Sequence, residues 1–341
     1  MKLWIRFLMG RRLQEDANYY QINALPAHGN FSSSFPNSQL LVGGYFSFVL
    51  WNSTYGEYWR YRYDWGYWSV VSTISYSDHT VMGVAKNDYY VAVALQTNRD
   101  YPHYLVEIHQ LVEGYLSHLQ TLNMSVFNNT ILTVSSGSVA MNYQNTLAIS
   151  GTGIDSTGYV ILYAPDDFGQ FTMRRFFQHS YETQPHVYLT DNTLMYITSP
   201  RTIRFIYCTD LFNGCSEYIK STFYTYSQSP YQISMGYCGL TSLGIDKDLA
   251  AASCNSEKIA VFTQKSLSGA WILAKIITGA SVSNAPISVS SGGDRILIGD
   301  TGKVSAYRAS SYTYTITIDY SQDGVDTTKS VYVGHDKTGE L

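Results

Sequence analysis

The stretch Gly83-Val-Ala-Lys-Asn-Asp-Tyr-Tyr-Val-Ala-Val-Ala94 reads as two short apolar strands joined by a turn. The same design returns in Val139-Ala-Met-Asn-Tyr-Gln-Asn-Thr-Leu-Ala-Ile-Ser150 and in Val187-Tyr-Leu-Thr-Asp-Asn-Thr-Leu-Met-Tyr-Ile197. It returns again in Leu243-Gly-Ile-Asp-Lys-Asp-Leu-Ala-Ala-Ala-Ser253 and Ile287-Ser-Val-Ser-Ser-Gly-Gly-Asp-Arg-Ile-Leu-Ile-Gly299. Asn, Asp or Gly falls between the two strands each time, as a tight hairpin demands.

Working outward, a third strand follows each hairpin: Tyr104–His109, Tyr159–Tyr163, Ile203–Tyr207, Lys258–Phe262 and Lys303–Tyr307. Their last residues are 54, 44, 55 and 45 positions apart. A polar turn then leads to a fourth, more variable strand, such as Phe171–Phe177 or Ala270–Ile277. A degenerate earlier copy fits Leu40–Ile74. Four strands per unit and no helical period between units predict an all-β protein, a β-propeller of four-stranded antiparallel blades. Six blades are expected, or seven if residues 14–35 and 311–341 combine into a closing blade. The expected division is an N-terminal arm with a closing strand over 1–35, the propeller over 36–320 and a tail over 321–341.

The pattern Val-Ala-x-x-x-x-Asp/Asn-x-Leu-Ala-Ile … Gly-x-Val-x-Val-Tyr … Trp resembles the FG-GAP repeat of integrin-like and bacterial surface propellers. Its best copies are 138–177 and 239–278. That family's Asp-x-Asp-x-Asp-Gly calcium loops are missing, so the resemblance does not bring calcium binding with it.

Composition narrows the function classes. Charged residues make up 14% of the 341 residues, against roughly 25% in an ordinary domain. Tyr is abundant, 31 against 14 Phe, and a ring with a polar tip suits half-buried strands and wet contact surfaces. The net charge of −4 gives no general attraction to nucleic acid. No segment approaches the ~20 apolar residues that cross a bilayer as a helix. Met1–Arg12 lacks a small-x-small cleavage site and reads as a first strand or packed arm rather than a secretory signal.

Four cysteines, Cys208, Cys215, Cys238 and Cys254, allow three pairings. Local hairpins favour Cys208 with Cys215 and Cys238 with Cys254; four buried thiols are the competing reading. A zinc site lacks both a C-x₂-C pair and a nearby His.

The densest feature is Tyr55–Trp68, with Trp51 just before it. If extended, it places Tyr61, Tyr63, Trp65 and Tyr67 on one side and Arg60, Arg62 and Asp64 opposite. A stacking platform built from Trp51, Tyr58, Trp59, Arg60, Tyr61, Arg62, Tyr63, Trp65 and Trp68 is one reading, for sugar or a protein partner. An aromatic interior between the first two blades is the other.

Catalytic chemistry has no clear signature. Of the eight His, none sits at His-x-x-x-His or Glu-x-x-His spacing, and His103 and His109 are the nearest pair. No Gly-x-Ser-x-Gly or phosphate-cradling glycine motif occurs. Asp155, Asp166, Asp167, Asp246, Asp248, Asp294 and Asp300 fall at expected turns, where Asp belongs for turn geometry. Asp319, Asp323 and Asp326 depart from the alternate-residue calcium pattern. The sequons at Asn30, Asn52, Asn123 and Asn128 permit glycosylation without indicating it.

The sequence-based expectation is therefore a non-enzymatic structural or adhesion propeller on a virion or cell surface, with no cofactor or metal. Its expected partners are other protein subunits or a cell-surface glycan, not nucleic acid. The composition loosely resembles structural proteins of archaeal viruses. A secreted carbohydrate-active hydrolase is the alternative, and an intracellular interaction scaffold the third reading.

Overall fold

In the computed structural model, the described residues are mainly strands lying between positions 6 and 319. Segments 9–21, 25–38, 98–102, 125–131, 181–186, 209–214, 223–239, 265–270 and 279–286, several shorter stretches, and 320–341 lie outside the described residues. The tail and most of the arm therefore fall outside it.

The quoted stretch forms β7 (His79–Lys86) and β8 (Tyr90–Thr97), which pair antiparallel and continue into β9 (Tyr104–Val112) and β10 (Tyr115–Asn123). Before them come β3 (Gln39–Val42), β4 (Ser47–Trp51), β5 (Tyr55–Arg62) and β6 (Tyr67–Ser75), the sheet read as a degenerate copy. After them, β11 (Leu132–Thr133) and β12 (Val139–Met141) both pair with β13 (Leu147–Gly153), followed by β14 (Thr157–Pro165) and β15 (Phe171–Ser180). Next are β16 (Val187–Leu189), β17 (Thr193–Ser199), β18 (Thr202–Cys208) and β19 (Cys215–Thr222). The succeeding sheet holds β20 (Leu240–Asp246), β21 (Leu249–Cys254), β22 (Lys258–Gln264) and β23 (Trp271–Thr278). The last holds β24 (Ile287–Ser290), β25 (Arg295–Asp300), β26 (Lys303–Arg308) and β27 (Thr313–Asp319). In the expected arm, β1 (Arg6–Leu8) pairs with β2 (Ile22–Ala24).

Each first strand packs against the first strand of a neighbouring sheet: β3 on β7, β7 on β12, β12 on β16, β16 on β20, and β20 on β24. All ladders are antiparallel and run in sequence order outward from this inner strand, except that the short β11 also pairs with β13 and gives its sheet a fifth strand. This is a β-propeller of four-stranded antiparallel blades.

The strand sequences follow from their place in the blade. Strand β8 is covered on both faces, so it reads as a continuous apolar run instead of alternating with polar residues. Val91, Val93 and Leu95 pack toward β3–β6, with Val49, Trp51 and Tyr58. Ala92 and Ala94 pack the other way, toward Leu147, Ile149, Tyr159 and Ile161. Strand β14 repeats the device, with Val160 and Leu162 facing Val187 and Leu194 on its other side. Fourth strands have one open face, and β10 accordingly alternates exposed and covered residues.

The abundant Tyr is used partly inside. Tyr58, Tyr76, Tyr90, Tyr104, Tyr159 and Tyr163 are buried. The Tyr104 hydroxyl reaches across to donate to the Ser150 carbonyl at 3.4 Å, and Tyr163 to Met124 Sδ at 3.6 Å. A buried ring with a bonded tip fills the space between blades and ties them together.

The aromatic run does not stay extended. Arg62 pairs with Tyr67 and Tyr61 with Trp68, so the chain reverses between β5 and β6. Tyr61 and Tyr67 therefore lie on opposing strands, and Tyr63 and Trp65 fall outside the described residues.

Candidate functional site

Strand alternation sends Leu105, Glu107, His109 and Leu111 of β9 toward the first sheet, because Leu105 and Leu111 join that side of the core. In the adjoining strand, His118 of β10 stands directly opposite His109 in the ladder. Tyr76, the residue after β6, enters the same space from the neighbouring blade and is buried. Four titratable side chains thus converge between the first two described blades.

The geometry is tight. Glu107 Oε2 lies 3.3 Å from His109 Nε2, and the Tyr76 hydroxyl lies 3.3 Å from the same nitrogen. The same hydroxyl is coupled electrostatically to Glu107. His109 and His118 meet edge to face, with ring centroids 5.6 Å apart. His118 is exposed and bonded to Thr121 Oγ1 at 2.9 Å, so the cluster runs from a buried phenol to solvent.

Electrostatics sorts the protons. Hydrogen bonding from His109 holds the Glu107 carboxyl below its ordinary range, against the opposing effect of burial, with help from Tyr76 and His118. Burial and the Glu107 charge push the Tyr76 hydroxyl far upward. At neutral pH the carboxylate is therefore ionised and the phenol is a donor. An ionised carboxylate bonded to an imidazole is the arrangement that activates water in acid–base chemistry.

Sequence reading singled out His109 but missed its partners. The signal was present: Glu107 and His109 are two apart, hence on one face of a strand, whereas the spacings searched were helical. His103, the expected neighbour, is exposed just before β9. Asp166 is a turn residue, accepting from the Phe168 and Gln170 amides at 2.9 Å each.

Among the other expected site residues, Trp51 and Tyr58 are buried in the core between the first two described sheets, and Arg60 is exposed. Trp59, Tyr61, Arg62 and Trp68 lie on β5 and β6, with side chains outside the described residues. Cys208 and Cys215 are directly paired in the β18–β19 ladder, and Cys254 stands opposite Leu240. Cys238 lies outside the described residues, as do the side chains of the other three cysteines. No group of three or more His, Cys, Asp and Glu among the described residues is set to hold a metal ion.

No protein-family model and no curated protein matches the sequence, and the FG-GAP resemblance stays a likeness of strand pattern. Solved structures do match the fold. A periplasmic gluconolactonase of Pseudomonas aeruginosa is similar at TM-score 0.58 and 13% identity, covering 83% of this chain and 84% of that one. A protein from Bacteroides uniformis titled "putative 6-phosphogluconolactonase" is similar at 0.53 and 13%, covering 77% and 80%. A functionally unknown protein from Desulfotomaculum acetoxidans is similar at 0.54 and 9%, covering 80% and 82%.

These neighbours correct the expectation of a non-enzymatic structural or adhesion module. One is a gluconolactonase and another is titled a putative 6-phosphogluconolactonase, so this fold is one on which hydrolases occur. That expectation rests on the charge-poor, Tyr-rich composition and on the absence of helical and elbow motifs, and a site built from strand residues does not require those motifs.

Proposed function

We propose that the chain is a carbohydrate-active hydrolase that opens a small sugar-derived lactone. The observation that carries this reading is the propeller shared along most of both chains with the periplasmic gluconolactonase. In the reaction, a water oxygen adds to the lactone carbonyl carbon while its proton passes to a base. The ring C–O bond then breaks, the ring oxygen takes up a proton, and a hydroxy acid leaves. Glu107 and His109 supply the acid–base pair: the carboxylate accepts from Nε2 and leaves the other ring nitrogen to take the proton from water. The low content of Lys and Arg, 22 of 341 residues, favours an uncharged lactone over a phosphorylated one.

The test is acid release from glucono-δ-lactone near neutral pH, measured above the spontaneous rate. The wild type is expected to accelerate ring opening, and Glu107→Gln and His109→Ala to lose about 10²–10⁴-fold. A folded wild type that leaves this and related neutral lactones at their spontaneous rates overturns the reading.

The same reading takes the ring as six blades, supported by the succession of sheets from β3–β6 to β24–β27. A disulfide between Cys208 and Cys215 belongs with it, supported by their facing positions in the ladder. Non-reducing peptide mapping that finds both thiols free removes that bond.

A further inference from the structure

We infer that Tyr76 is a positioning residue for the Glu107–His109 pair, supplied by one blade to a site on the next. Its catalytic consequence rests on the hydrolase reading above; the positioning itself does not.

Tyr76 is anchored at both ends. Its amide donates to the Thr54 carbonyl at 2.7 Å, which pins the main chain beside β5 and β6. Its ring is buried among Val49, Trp51, Tyr58, Val81 and Val84, residues from both blades. A side chain held this way has little rotamer freedom left, so its hydroxyl is fixed in space. That hydroxyl sits 3.3 Å from His109 Nε2 and is coupled through this contact and its own charge environment to Glu107. The groups acting on Glu107 come from three elements: His109 on its own strand, His118 on β10, and Tyr76 after β6. Both histidines belong to Glu107's own sheet. Tyr76 alone among these comes from the adjacent blade, so its share in orienting the pair exists only when the two blades are seated against each other. Because the phenol stays protonated through the neutral range, it remains a donor wherever the pair is to work.

Tyr76→Phe tests this in the full chain, keeping the buried ring and removing one oxygen. Two readouts are needed: NMR titration of the Glu107 carboxyl with the His109 ring nitrogens, and the pH profile of lactone opening. The expected result is a Glu107 titration moved to higher pH, with the acid limb of kcat moving equally. Activity should fall about tenfold at neutral pH with KM unchanged, the size of one lost bond to a charged group. Tyr76→Leu, which also loses the ring, should move the titration the same way while lowering the melting temperature further. Unchanged Glu107 titration and His109 shifts in folded Tyr76→Phe overturn the inference, whatever the activity. A moved titration in a protein that opens no lactone supports the positioning and removes the hydrolase reading instead.

Discussion

Asn87 donates its side-chain amide to the main-chain carbonyl of Asn142, at 2.8 Å, from one blade to the next. The two residues hold equivalent places, each in the turn between the first and second strands of its blade. Asn142 repeats the gesture toward the Thr190 carbonyl at 3.1 Å, so three successive turns are linked in series. Each Asn also caps its own turn: Asn87 Oδ1 accepts from Tyr89 and Tyr90, and Asn142 Oδ1 from Thr146. The residue type that makes a tight turn thereby also staples neighbouring blades.

Asn87→Ala should therefore be costly for a turn residue. At 2% exposure it leaves several polar groups without their partner, each worth about 1–3 kcal/mol. Asn87→Asp keeps the caps but turns a carboxylate toward the Asn142 carbonyl and Asn145 Oδ1. Urea unfolding at neutral pH should find both variants destabilised. An Asp variant as stable as wild type would show that the inter-blade donor contributes nothing.

Gly244 on β20 sits where two inner strands come together. A Cβ there would stand 3.0 Å from Val289 Cγ2 and 3.4 Å from the Ile287 carbonyl oxygen. Gly244→Ala should cost about 1 kcal/mol, and Gly244→Val about 2–3 kcal/mol as the strands are forced apart. Thermal melts of the pair give the order, and a neutral Val variant would contradict this packing.

Two apolar residues of one blade should behave oppositely. Ile149 is fully buried between sheets, so Ile149→Ala is expected to lose about 2–5 kcal/mol. Phe168, 90% exposed at the β14–β15 turn, should tolerate Ser within about 0.5 kcal/mol. Denaturant midpoints measured side by side decide the matter.

Glu107 makes stability depend on acid. Its carboxyl is held below the ordinary range in the fold, so unfolding takes up protons as pH falls. Its contribution is fully present above the ordinary glutamate range and is lost as pH drops through the lower folded value. Glu107→Gln should accordingly flatten the acid side of a stability–pH curve. Parallel curves for the two proteins would assign the acid sensitivity elsewhere.

Much of the strand plan was legible because it is written locally. The run Tyr90–Leu95, apolar without alternation, and Asn or Asp between two such runs fix a buried strand and its turn through backbone chemistry alone. The run from Tyr55 to Trp68 is ambiguous for a related reason. Period-two alternation continues across a reversal as readily as along a straight strand, and only the ladder pairing Arg62 with Tyr67 distinguishes them. The site was legible in one half, Glu107 and His109, two apart on one strand.

The sequence by itself determined which segments become strands, where they turn, and that the units repeat, since these depend on side-chain period and turn residues within a few positions. Only the tertiary structure decided which buried faces meet. A strand covered on both sides, such as β8, carries no mark of whether Val91 or Ala92 faces the preceding blade. That choice brings Tyr76 onto His109 and Glu107, some thirty residues later in the chain, and no local rule reaches across that distance.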